Sequence, residues 1–394
     1  MGSSLKSILA GFILLLLLNI TSIANENQDF PQSVIDQIDP ELGSKVFEGL
    51  TGVSVSGQWF LKFQNGERSE KAFSEFGISR GYITIKKKLS DRFSARITPD
   101  ITIDKEGDGL GDLEMRIKYC YLQYKMKDIG LFSKPYFEFG VVHRPWIDFE
   151  QKINRYRVQS EMYFDRYDIV NSADLGFAFF TLLGGEVNSD YKKNVNKGYP
   201  GKYGSISVGV YNGGGYHAVE MNTNKIIEGR LSIRPLPVLL TGLQFHYYGI
   251  HGKGNTEMAP KFDMKSGIVS YENRYFVMTG TYFESTGNYK GTAIENIPGT
   301  IVAGEEKVNS YKQDGYSAFA EIKFYDKKIG LVGQYDRFNR KRLSGVVSSE
   351  RIMGGFAYYY VKKCKILIDY ERYKDDSSLT NSDGIFEVAT EVVF

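Results

Sequence analysis

Only two cysteines, Cys120 and Cys364, and four histidines occur in the 394 residues. Two thiols cannot form the disulfide framework that holds small exported domains together. They fall on predicted strands several neighbours apart, beyond the ~7 Å between Cα atoms that a bridge tolerates. His143, His217, His246 and His251 come with no GxSxG or HExxH, and no Ser or Asp is spaced beside them as a catalytic partner. Enzymatic chemistry is therefore not expected, and no motif calls for a cofactor. Proline is scarce, with 10 residues, and no linker rich in Pro, Ser or Gly divides the chain. The net charge of +2 provides no excess that would steer it to nucleic acid. Beyond the first twenty residues no run approaches the ~18 uninterrupted apolar residues of a spanning helix. A mean hydropathy of −0.30 leaves a membrane barrel open, since a barrel needs apolar residues only at alternate positions.

Aromatics and glycine are abundant, with 28 Tyr, 26 Phe and 42 Gly. Lys6, the apolar stretch from Ile8 to Ile20 and the small-x-small triplet Ser22-Ile23-Ala24 describe a cleaved secretory leader over residues 1–24. Residues 25–51 follow as a short periplasmic segment, too small for a plug domain. From residue 52 onward nearly every segment has a period of two. In LEMRIKYCYLQYKM, Leu113, Met115, Ile117, Tyr119 and Tyr121 alternate with Glu114, Arg116, Lys118 and Cys120, which predicts a sheet with unlike faces. Such runs number about sixteen, each near the ~9–11 residues that a tilted membrane strand needs. Long polar links alternate with short turns, among them Ser90-Asp91 and Asp326-Lys327, and one long link, Asn188 to Tyr203, falls on the short-turn side. The last run, 384–394, places Phe386, Val388, Thr390, Val392 and Phe394 on one face, and pairing it with 52–64 would remove both sheet edges. The expected fold is all-β: a closed antiparallel transmembrane β-barrel of about 16 strands over residues 52–394.

The ordered stretches RGYITIKKKLSDRFSARITPDI, KYCYLQY, NSADLGF, GVYNGGG and RLSIRPLP resemble the phosphate-selective porin family of bacterial outer-membrane proteins. The resemblance implies a sixteen-stranded homotrimeric pore whose third long loop folds inward, and a terminal aromatic strand read by the barrel insertion machinery. The third long link, about 147–173, fits in length and is rich in basic and aromatic residues; links this long are usually functional. Its Lys152, Arg155, Arg157 and Arg166 are the candidate constriction. On the wall, alternation places Arg80, Arg96, Arg116, Lys118, Arg144, Arg230 and Arg234 toward the lumen, opposite an acidic arc that includes Glu321, Asp336, Asp369, Glu371, Glu387 and Glu391.

Two functions are compatible with this pattern. One is passive diffusion of small hydrophilic solutes or anions, phosphate among them, across outer-membrane lipid, selected by width and fixed charge. The other is a closed structural or adhesive barrel whose long loops bind partners. No metal site is expected: Asp104, Glu106, Asp108 and Asp112 form an oxygen-rich loop, but Met115 stands where an EF-hand requires Glu.

Overall fold

The computed structural model describes residues 52–68, 71–104, 109–295, 301–302, 305–306, 308–361, 363–376 and 383–394. The expected leader (1–24), the segment 25–51, and Glu106 and Asp108 of the acidic loop lie outside the described residues. Sixteen barrel strands run in chain order, the first eight being β1 Val53–Arg68, β2 Lys71–Lys88, β3 Phe93–Ile103, β4 Leu113–Lys125, β5 Phe132–His143, β6 Ala173–Leu183, β7 Gly204–Tyr211 and β8 Ile226–Ile233. The others are β9 Gln244–Lys253, β10 Lys261–Glu272, β11 Phe276–Thr286, β12 Lys312–Phe324, β13 Ile329–Arg342, β14 Gly345–Val361, β15 Cys364–Asp375 and β16 Asp383–Val393. Each neighbours the next, and β16 pairs antiparallel with β1 from Gln58↔Val393 to Gly66↔Ile385, so the sheet closes.

Closure separates the two faces that the sequence alternates. Leu113, Met115, Ile117, Phe356, Ile368 and Phe386 are exposed on the outer surface, while Arg351, Asp369 and Glu387 are buried inside. One phase shift departs from the sequence reading. Thr98 pairs with Tyr119 but the adjacent Pro99 pairs with Ile117, which leaves Lys118 as an extra residue in β4. This is a β-bulge, placed where proline contributes no N–H to the ladder. Beyond it the faces exchange, so Tyr119 and Tyr121 point inward and Cys120 outward, opposite to strict alternation.

Several links also differ from their expected lengths. The long link expected from Lys341 to Ser349 is only the turn Leu343-Ser344, because β13 and β14 run on into a polar ladder. That ladder holds Arg337–Glu350 at 2.7 Å and Arg340–Asp375 at 2.5 Å. Conversely, the strand predicted over 239–250 begins at Gln244, since Leu236 to Leu243 fold back on themselves with Leu240 N–H donating to the Leu236 carbonyl. The long link on the short-turn side contains a helix, Ser189–Asn194, capped by Asn188 Oδ1 accepting from Tyr191 N–H at 2.7 Å.

The bulge leads to a direct test. In the folded barrel reconstituted in lipid, a maleimide that partitions into the bilayer should modify Cys120, and a membrane-impermeant one should not. Labelling by the water-soluble reagent alone would put Cys120 on the inner face and remove the bulge.

Candidate functional site

The third long link is not an open loop. Helix α1, Ile147–Ile153, the short helix α2, Tyr163–Arg166, and the residues flanking them bury Trp146, Phe149, Tyr156, Met162, Tyr163 and Phe164. These side chains form one apolar cluster with inward residues of the opposite wall, among them Tyr248, Phe262, Phe283, Phe319 and Phe338. Burying side chains of this size is favourable by about 1.5–3 kcal/mol each, so the loop has a hydrophobic core inside the barrel. Two inward glycines allow the close approach. A Cβ at Gly315 would collide with the Tyr163 hydroxyl, and one at Gly330 would stand 2.9 Å from the Tyr156 hydroxyl. These phenols donate to the Arg337 carbonyl at 2.6 Å and to Glu321 at 2.7 Å.

Two sizeable cavities border the loop among the described residues. The outer one, about 680 Å³, lies toward the long-link rim and is lined by Arg80, Arg116, Arg157 and Glu161 together with Gln64, Asp369 and Glu387. The inner one, about 690 Å³, lies toward the short turns and is lined by Lys125, Lys134, Asp148, Lys152, Glu186 and Tyr199. Along the β2–β4 wall the basic residues engage acids and phenols. Arg80 bonds Asp100 at 2.5 Å, Glu161 of the loop at 3.2 Å and the Tyr216 hydroxyl at 3.2 Å. Lys118 donates to the Tyr82 hydroxyl at 3.2 Å, and Arg116 to Glu114 at 2.6 Å. Arg96 lies over the Tyr119 ring at 4.4 Å and donates to His143 Nε2 at 3.0 Å, while His143 Nδ1 bonds Glu138 at 2.8 Å.

The eleven basic residues singled out in the sequence therefore separate into groups. Arg80, Arg116 and Arg157 meet at the outer cavity, Lys152 lines the inner one, and Arg96 and Lys118 stand in the β2–β4 wall. Arg155 and Arg166 fasten the loop. Arg155 donates to the Val195 carbonyl at 2.7 Å with Glu272 at 3.6 Å, and Arg166 pairs with Asp336 at 2.6 Å. Arg144, Arg230 and Arg234 point inward as the alternation requires but are fully buried, so neither cavity reaches them. The link after β5 and the helix-bearing link 188–203 cover them. Arg144 pairs with Glu228, Arg230 stacks 4.2 Å from Phe149, and Arg234 lies 5.1 Å from the Tyr191 ring.

Some contributors had only faint sequence signals. Tyr82 shares the inward register of Arg80, while Tyr216 reaches the site from a link and carries no periodic signal at all. Among the described residues no group of three or more His, Cys, Asp or Glu is placed to hold a metal ion. The loop carboxylates differ sharply in environment. Burial alone would raise Asp148, but Lys152, His143 and the Tyr199 hydroxyl outweigh it and hold it below the ordinary carboxylate range. Burial pushes Glu150 from 4.5 up to about 8, even though Trp146 Nε1 donates to it at 2.9 Å. Burial and the neighbouring Glu161 push Asp165 up to about 6.

Because folding raises the Glu150 pKa, the folded state holds its proton more tightly than the unfolded state. This contribution to stability is complete below about pH 4.5, fades as pH rises and is gone above about 8. Glu150→Gln retains an acceptor for Trp146 and should flatten the pH dependence of urea unfolding between these limits, by on the order of a few kcal/mol. An unchanged slope in the variant would mean that Glu150 is ionised in the folded loop.

No protein-family model matches the chain, and no curated protein is similar to it in sequence. Solved structures are similar in fold. OmpF of Salmonella typhi in complex with daunomycin aligns over 87% of this chain and 97% of its own, with a TM-score of 0.57 and 12% identity. An anion-selective porin from Comamonas acidovorans aligns over 87% and 99%, with a TM-score of 0.56 and 11% identity. OmpT, an outer-membrane protein of Vibrio cholerae in a trimer form, aligns over 87% and 99%, with a TM-score of 0.51 and 12% identity. At these identities the likeness concerns architecture, and the chain has the sixteen-stranded barrel fold of outer-membrane porins.

Proposed function

We propose that the chain is an outer-membrane pore for passive diffusion of small hydrophilic solutes and ions, with a preference for anions in its narrow section. The observation that carries this reading is the arrangement of two cavities on either side of an inserted loop, beside a wall bearing Arg80, Lys86, Arg96, Arg116 and Lys118. Fixed charge on a wall selects by sign without binding tightly, as passage requires. Arg80, Arg116 and Lys118 are each tied to a carboxylate or phenol of their own, so their charge is partly compensated even where they share a cavity. A general preference for anions therefore fits better than recognition of phosphate alone. Homotrimeric assembly in bacterial outer-membrane lipid, reached through the barrel insertion machinery, completes the proposal.

The closed structural or adhesive barrel remains the competing reading, and the dense packing of the loop against β9–β13 is the observation that favours it. Planar lipid bilayers separate the two: stepwise conductance is expected, and persistent silence of refolded protein would favour the closed barrel. Reversal potentials in a salt gradient then test the selectivity. One unit charge about 10 Å away in water contributes about 0.4 kcal/mol. Because the anion and the cation shift by this amount in opposite senses, Arg157→Ala should lower the anion-to-cation permeability ratio roughly fourfold. Glu284→Gln, on the outer surface, should leave it unchanged.

A further inference from the structure

The β15–β16–β1 seam holds a juxtaposition that packing alone does not explain. Gln64, Glu387 and Asp369 occupy one cross-strand row, with Gln64 opposite Glu387 and Glu387 opposite Asp369. Like charges directly opposite on one face of a sheet repel, and all three side chains are more than nine-tenths buried. Gln64 Nε2 donates to Glu387 Oε2 at 2.6 Å. That leaves Gln64 Oε1, Glu387 Oε1 and both oxygens of Asp369 without a hydrogen-bond donor, although all three residues line the outer cavity.

The neighbouring donors compensate this row only in part: Arg351 Nε reaches no acceptor, and Lys62 is paired with Glu387 at long range. Arg351 serves Glu371 at 2.5 Å and Asp336 at 3.4 Å. The Gln159 amide donates its well-formed hydrogen bond to Glu371 at 2.7 Å and makes only a weaker approach to Asp369. Lys62 stands 3.9 Å from Glu387 Oε2, the oxygen that already accepts from Gln64. On β14 the residue opposite Asp369 is Gly355, where a Cβ would lie 2.5 Å from that of Asp369, so this neighbour contributes space and no side-chain donor.

Buried acceptors in such number call for a cation. A hard divalent ion accepts carboxylate and amide oxygens together and fills the rest of its shell with water. We propose that Asp369, Glu387 and Gln64 Oε1 bind a divalent cation of the calcium class at the wall of the outer cavity. With two carboxylates and one amide from the protein, much of the coordination shell is water, and affinity is correspondingly modest. The bound ion relieves the repulsion between Asp369 and Glu387 and fastens β15, β16 and β1 to one another across the closing seam. This site goes beyond the proposed diffusion of solutes and does not depend on it.

The test is calorimetric titration of calcium chloride into the refolded full chain in detergent micelles. One site per chain is expected, with Kd on the order of 0.1–1 mM. Asp369→Asn and Glu387→Gln should each weaken it at least tenfold, while Glu284→Gln should leave it intact. Absence of a calcium isotherm in the unaltered protein overturns the proposal. So does an unchanged isotherm in Asp369→Asn with an intact β-sheet circular dichroism spectrum. Should that variant not fold, Glu387→Gln carries the same test. If ethylammonium binds at this row and calcium does not, the site serves a cationic solute and the metal proposal falls. Because no arm reads conductance, failure here leaves the bilayer result untouched.

Discussion

The structure depends on one constraint: a sheet that meets hydrocarbon can leave no backbone N–H or C=O without a partner. Helices meet it within a single segment, but strands meet it only by closing on themselves, and here closure is the β1–β16 ladder. Once the sheet is closed, alternate residues face different surroundings, and the inner face can hold Arg351, Asp369 and Glu387 while Phe356, Ile368 and Phe386 stand outside. Closure also creates a difficulty. A sixteen-stranded barrel is too wide for its own side chains to fill, so what narrows its aqueous lumen comes from a link. The link between β5 and β6 supplies it as a small hydrophobic core built from α1, α2 and the inward residues of β9 to β13.

That core decides what each inward charge can do. Arg80 and Arg230 are the same residue type on the same face of the sheet. Arg80 borders the outer cavity, whereas Arg230 lies beneath Phe149 and is held by the Pro145 carbonyl and Ser205. A guanidinium out of reach of water needs compensation, because an unmatched buried charge costs several kcal/mol; Arg230 is matched at Nε and Nη1 and stacks on Phe149, while its Nη2 has no acceptor. The Arg144–Glu228, Lys365–Glu391 and Arg166–Asp336 pairs instead give each buried cation a counter-charge. Their worth lies less in net stability than in fixing where the loop sits, since removing one member would strand its partner.

Much of this architecture was legible in the sequence because a period of two is imposed by strand geometry and does not require knowing the neighbours. Strand number, antiparallel order and the pairing of the last run with the first followed from it, whereas the inward fold of the third long link was implied only by the family resemblance. What it could not carry was anything depending on a second segment. The bulge at Lys118 is set by its pairing with β3, so Cys120 and Tyr121 read on the wrong faces. Arg144, Arg230 and Arg234 read as inner-face residues, but alternation does not say what lies on top of that face. Gly315 and Gly330 look like ordinary strand glycines until Tyr163 and Tyr156 are seen against them. The stretch from Lys341 to Ser349 read as loop because its polarity belongs to strand ends that carry ladders of paired charge standing beyond the apolar belt.

The division of the wall into a basic arc and an acidic one acquires a further meaning from the loop. On the acidic side the loop offers donors: Arg155 to Glu272, Tyr156 to Glu321, Arg166 to Asp336 and Gln159 to Glu371. On the basic side it offers acceptors, Glu161 to Arg80 and Asp148 near His143. The insert is thus polarised in the opposite sense to the wall, and rotating it within the lumen would bring like charges together at both faces. Hydrophobic burial drives the loop inward but is indifferent to its orientation. The paired arcs supply the orientation, and by drawing the loop onto β9–β13 they leave the remaining space beside the basic wall of β2–β4.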